Sequence, residues 1–184
     1  MKIPRLTGPA GLLLAVLAAT VPAHATEYFS NGELIASFFP GPKPTWRKIL
    51  LSDADVAAIG KKLGADLKKK EWTFYLAEDE NHKRLGYAML DAQIGLHEDI
   101  DYGVRFSASG VVERVEIRAY REAYGDQVRG ARFRNQFVGK TASDPIVAGQ
   151  DIDIVSGASY SSKALALGVK RDALVLQAAL KSGL

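Results

Sequence analysis

At Trp72 the spacing of apolar residues changes from helical to strand-like, and this switch constrains the fold more than any other feature. Upstream, Ser52-Asp53-Ala54-Asp55 reads as a helix start with acids in its first turn. Val56, Ile59, Leu63 and Leu67 follow at three- and four-residue steps, so a helix is expected through Leu67, with Lys68-Lys69-Lys70 as its solvated end. From Trp72 the period becomes two: Trp72, Phe74 and Leu76 alternate with Thr73, Tyr75 and Ala77. Arg84 to Leu96, Asp101 to Ser107 and Val111 to Ala119 continue as strands, with Ala108-Ser109-Gly110 as a hairpin turn. A meander of this kind closes as a small antiparallel sheet. Helical patterns flank it: Thr26 to Phe39, stopped by Pro40-Gly41-Pro42-Lys43-Pro44; a short one near residues 126–135; and Ser161 to Leu180, with Leu165, Val169 and Leu176 as buried candidates. The expected class is α+β, a small antiparallel sheet packed with helices.

The first 25 residues have a different character. Lys2 and Arg5 precede a Leu- and Ala-rich run, and Ala23-His24-Ala25 supplies the small residues of a cleavage site. The run is shorter than the roughly 20 apolar residues a spanning helix needs. A removed secretory leader over residues 1–25 and a single domain over residues 26–184 are therefore expected, with export to the periplasm. Of the 24 basic residues two lie in this leader, leaving 22 against 21 acidic ones, which is no nucleic-acid footprint. Cysteine is absent, so disulfides, thiolate metal sites and cysteine-held haem are excluded. His82 and His97 have no spaced metal-ligating neighbours, and no metal is expected.

The chemistry-bearing stretch is Asp153-Ile154-Val155-Ser156-Gly157-Ala158-Ser159-Tyr160-Ser161-Ser162, placed just ahead of the last helix. A helix start exposes unpaired N–H groups and a partial positive charge, which suits an anion. Gly157 and Ala158 would let backbone approach a phosphate closely, and Ser156 and Ser159 could donate to its oxygens. By spacing alone the same residues also describe an ordinary serine-capped helix.

Asp153-x-x-Ser156-Gly157-Ala158-Ser159-x-Ser161 resembles the flavinylation signature of FMN-binding domain proteins, relatives of the NqrC and RnfG flavin subunits. The resemblance extends in order along the chain. Phe38-Phe39-Pro40-Gly41, Gly86-Tyr87-Ala88, the hairpin Ser109-Gly110-Val111-Val112-Glu113-Arg114-Val115, Glu122-x-x-Gly125 and Phe137-x-Gly139-Lys140 are each similar to a family element. It implies FMN held covalently by a phosphoester, installed from FAD by a Mg-dependent FMN transferase of the ApbE type, with Ser161 as the acceptor. Where the family most often has Thr, this chain has Ser at both 159 and 161. Asp153, Ser156, Gly157, Ala158, Ser159, Tyr160, Ser162, Glu122, Gly125 and Lys140 are the implied cofactor-binding residues. Asp153 could equally cap its loop, and Glu122 could brace its own loop instead of meeting the flavin. Tyr120, Tyr124, Tyr160, Phe133 and Phe137 are candidates to wall the ring, and Arg129, Arg132 and Arg134 to favour its reduced, anionic form. The function implied is an exported electron carrier working between membrane or soluble redox proteins. The alternative is a flavin-dependent reductase with its own small substrate, although no G-x-G-x-x-G dinucleotide fingerprint is present.

Overall fold

The computed structural model describes residues 26–184; the leader reading falls on residues 1–25, outside the described residues. A six-stranded, wholly antiparallel sheet organises the chain. Its strands are β1 (Thr26–Glu27), β2 (Thr45–Leu50), β3 (Glu71–Glu78), β4 (Arg84–Ile94), β5 (Asp99–Ser107) and β6 (Val112–Tyr120), in spatial order β1-β6-β5-β4-β3-β2. The helices are α1 (Asn31–Phe38), α2 (Asp53–Leu63), the single turn α3 (Ala131–Arg134) and the long α4 (Ser159–Lys181). The α+β class expected from the change of period is what the chain adopts.

Alternation along β3 divides the core in two. Trp72, Phe74 and Leu76 face the larger cluster with Leu165, Val169 and Leu176 of α4, while Ala77 and Tyr75 join Leu34, Ile35 and Phe38 of α1 on the other face. The central strand β5 is covered on both sides, and Gly103 lets α1 sit close: a Cβ there would lie 2.9 Å from both Leu34 and Leu90. A Ser30–Glu33 capping box starts α1.

Three expectations are corrected. The first helix begins at Asn31, after β1 has paired with β6, because Ser30 caps it there. Helix α2 ends at Leu63, since Gly64 adopts a left-handed φ of 65° and closes the last turn on Gly60. Leu67 is still buried, but from the loop, and Lys68, Lys69 and Lys70 lead into β3 instead of ending a helix. Strand β2 is an element the apolar pattern does not announce. It is an edge strand with five of its six residues exposed, so no buried face imposes an alternating pattern.

The topology places one end of the sheet beside the start of α4. The β4–β5 turn and the end of β6 lie together, because Ile94 pairs with Asp99 and Ile100 with Tyr120. The opposite end carries the β5–β6 turn, where Gly110 lies against Leu176 and Leu180 near the close of α4.

Candidate functional site

Helix α4 begins at Ser159 without a side-chain cap. The residue ahead of it is Ala158, which has no hydroxyl to offer, so the serines here do not cap in the ordinary way. Ser162 is fully buried: its hydroxyl donates to the Ala158 carbonyl at 2.8 Å and accepts from the Val155 N–H at 3.2 Å. It folds residues 155–158 back against the helix. Gly157 has a φ of +78° with open space where a side chain would stand. The result is an uncapped, positively polarised helix start carrying exposed Ser159 and Tyr160.

Ser161 sits differently. It is only 3% exposed, and its Oγ lies 2.7 Å from the Tyr120 hydroxyl. Tyr120 donates its single proton to the Tyr124 carbonyl at 2.6 Å, so Ser161 must donate to Tyr120. Burial pushes the Tyr120 hydroxyl above the ordinary phenol range, which keeps that proton in place. Gly125 closes over the pair with a φ of +96°; a Cβ there would lie 2.7 Å from the Tyr120 oxygen and 2.8 Å from Ser161 Oγ. Tyr120, Ser161 and Gly125 thus form a latch that fixes the 121–125 loop against α4. The Ser161 hydroxyl, expected as the acceptor, is thus little exposed and hydrogen-bonded inside the latch at the edge of the space that Ser159 also lines.

Glu122, carried by the same loop, reaches the β4–β5 turn. Its Oε1 accepts from the backbone N–H of His97 at 2.6 Å and of Glu98 at 3.0 Å. Burial opposes its ionisation, but the N–H groups of Glu98, His97 and Leu96 outweigh burial and hold the carboxyl below its ordinary range. Gly95 leaves room for this carboxylate, since a Cβ there would lie 2.5 Å from Glu122 Oε1. Of the two roles open to Glu122, bracing is the one its Oε1 performs, for a turn some 25 residues earlier in the chain. Glu122→Ala should cost about 1 kcal/mol, a charged hydrogen bond discounted for partial exposure. Urea unfolding measures that cost, and faster amide exchange confined to His97 and Glu98 would assign it to the turn. Because the folded-state carboxyl is depressed, this stabilisation holds above the unfolded pKa and is lost as pH falls through the folded one.

Between the turn, the loop and the start of α4 lies a cleft of about 320 Å³. Leu96 and His97 form one wall, Glu122 to Tyr124 a second, and residues 157–161 the floor. Two strongly exposed aromatics flank it, Tyr124 at 86% and Tyr160 at 59%. A second cleft, of about 390 Å³, lies on the other side of the serine-rich segment between Asp153 to Ser156 and Arg132, Phe133 and Gln136. Asp153 is tied there by its backbone, with its N–H donating to Gln136 at 2.6 Å, and its carboxylate is exposed.

Glu122, Gly125 and residues 157–161 are therefore brought together, while Asp153 and Ser156 border the second cleft and Ser162 is internal. Lys140 is not brought in. Its ammonium pairs with Asp151 at 2.8 Å, and Asp151 also accepts from the Ile146 and Val147 N–H groups, so the pair braces the 141–152 loop. Phe133 and Phe137 are core residues in edge-to-face contact at 5.5 Å, and Tyr120 belongs to the latch. Arg129 lies over the Tyr28 ring, Arg134 is tied to the Arg129 and Val115 carbonyls, and Arg132 lines the second cleft. Leu96, His97 and Ala123 also line the first cleft, although no motif points to them. The signal in the sequence that could have found them is the hairpin register, which returns β6 beside the β4–β5 turn.

Residues 95–173 match the family described as the FMN-binding domain. No curated protein matches the chain. Among solved structures, NqrC of Shewanella oneidensis is similar with a TM-score of 0.55 at 15% identity, covering 82% of this chain and 90% of that one. A Na+-translocating NADH-quinone reductase subunit of Parabacteroides distasonis gives 0.44 at 17% identity, over 71% and 77%. The first likeness is one of fold. The matched residues run from Gly95, which wraps Glu122, to Ala173 in α4, and so include the whole cleft. Its parts suit the cofactor: the uncapped helix start and the open Gly157 fit a phosphate, and the exposed tyrosines fit a planar ring. Residues 95–173 are accordingly matched by the FMN-binding domain family, within a chain that shares its fold with NqrC.

Proposed function

We propose that this protein is an exported electron carrier whose FMN is joined by a phosphoester to Ser159. The observation that carries the reading is the contrast between the two candidate hydroxyls. Ser159 is exposed on the cleft floor at an uncapped helix start, whereas Ser161 is 3% exposed and hydrogen-bonded to Tyr120. Bound FMN would supply one- and two-electron transfer.

The chain's own residues seat it. The first-turn N–H groups of α4 favour the phosphate's negative charge, Gly157 leaves it room, and Tyr124 and Tyr160 offer faces for the ring. An unactivated serine hydroxyl is a weak nucleophile, and an ApbE-type transferase supplies Mg and base to Ser159. The Ser159 oxygen attacks the FMN phosphorus of FAD, a new P–O bond forms, the pyrophosphate bond breaks and AMP leaves. The displaced proton passes to the transferase. A covalent tether suits an exported carrier, because a cofactor held only by equilibrium binding is lost where its free concentration is low. The Lys2–Ala25 leader supports export.

Intact mass and fluorescence of the denatured band, after co-expression with the transferase, test this directly. Wild type and Ser161→Ala should carry one FMN, the latter at reduced yield, and Ser159→Ala none. Retained FMN in Ser159→Ala, with loss in Ser161→Ala, would return the linkage to Ser161. A bare wild-type polypeptide would remove the covalent reading altogether.

A further inference from the structure

We infer that His97 is the counter-charge for reduced flavin in this cleft, so that the bound cofactor's potential is linked to the ionisation of one imidazole. The inference rests on the cleft being the FMN seat. Three structural facts single out His97. It lines the cleft wall facing residues 157–161, and it is exposed there. Its backbone is fixed, since its N–H donates to Glu122 at 2.6 Å and Gly95 allows the turn to wrap that carboxylate. It is also the one histidine lining the cleft among the described residues; His82 lies in the β3–β4 turn, at the other end of the sheet.

The groups bordering it limit the chemistry. Glu122 is held ionised by backbone N–H groups, Glu98 lies next in the same turn, and Tyr124 and Tyr160 line the rest of the cleft. Histidine is the side chain whose ordinary titration spans pH 5 to 8. A flavin that takes two electrons from a redox partner and one proton from solvent gains one net negative charge. A protonated imidazole beside it favours that state over the oxidised one, and a neutral imidazole does not. No proton has to pass between them for the linkage to hold. Its sign is fixed: a protonated imidazole at this place raises the potential, and a neutral one leaves it unchanged.

The experiment is spectroelectrochemical titration of the flavin-loaded full chain from pH 5.5 to 8.5, for wild type, His97→Gln and His82→Asn. At pH 5.5 the wild-type equilibrium should favour reduction about tenfold more than His97→Gln, about 30 mV for a two-electron couple. The two curves should merge above pH 8, and His82→Asn should follow wild type throughout. An NMR titration of the His97 ring in apo, oxidised and reduced protein reads the same linkage independently, with the titration moving upward on reduction. Coincident curves for loaded wild type and His97→Gln would overturn this inference alone. Protein that takes up no flavin on either Ser159 or Ser161 would overturn the cleft assignment, and this inference with it.

Discussion

Gly125→Ala is expected to destabilise the protein by about 2–4 kcal/mol and to reduce FMN incorporation at least tenfold. Two effects add at this position. A φ of +96° is outside the range an alanine adopts comfortably, which by itself costs roughly 1–3 kcal/mol. The new methyl would also meet the Tyr120 and Ser161 oxygens at 2.7 and 2.8 Å. Neither hydroxyl can retreat freely, because Tyr120 is bonded to the Tyr124 carbonyl and Ser161 to Tyr120. The loop carrying Glu122 and Tyr124 must therefore lift from α4, opening the cleft from one side. Urea unfolding gives the stability term and denatured-band fluorescence the incorporation term. A double variant, Gly125→Ala with Ser161→Ala, removes one of the two collisions and should recover about 1 kcal/mol relative to additivity. Strict additivity would show that the clash with Ser161 is not what the methyl meets.

The second large effect lies in the core. Asp172, on α4, has no solvent exposure, and neither carboxyl oxygen has a well-placed hydrogen bond. The Tyr102 hydroxyl and Asp91 lie close by; Arg171 is 3.8 Å away but turns its guanidinium to Asp91 at 2.7 Å and to Gln93 and the Ala92 carbonyl. Burial, followed by the charge of Asp91, pushes the Asp172 carboxyl well above its ordinary range against the pull of Arg171. The folded state therefore binds a proton that the unfolded state releases. The contribution of this group is greatest below the unfolded pKa and is lost as pH rises through the folded one. Asp172→Asn stays neutral at every pH. It should match wild type near pH 4 and exceed it by about 1–3 kcal/mol near pH 8, the scale of an uncompensated buried polar group. Urea midpoints across that range check it, and a wild-type advantage at pH 8 would refute the neutral-acid assignment.

Much of the architecture was legible because its signals are local. The alternation of Trp72, Phe74 and Leu76 marks β3, and the hairpin turns pair its successors in order. Edge strand β2 was not legible, since solvent on most of its length imposes no period. Gly64 was a readable stop that three-to-four spacing overran, because Leu67 happens to fall in step with the helix it has already left. The burial of Ser161 was legible too. It stands four residues before Leu165, and so on the buried stripe of α4, while Ser159 is turned about 200° away from it. The helical period already separated an inward hydroxyl from an outward one.

The chain alone determined the α+β class, the serine-rich segment before a long helix, and its likeness to FMN-binding domains, because periodicity and short motifs are properties of neighbouring residues. Only the tertiary structure decided that the Ser161 hydroxyl meets Tyr120, that Glu122 braces a distant turn, that Lys140 belongs to Asp151, and that His97 stands at the cleft. Those outcomes depend on segments some 11 to 41 residues apart meeting across the sheet end and around its loops, where desolvation and hydrogen bonding assign each polar group one neighbour among several that composition would allow.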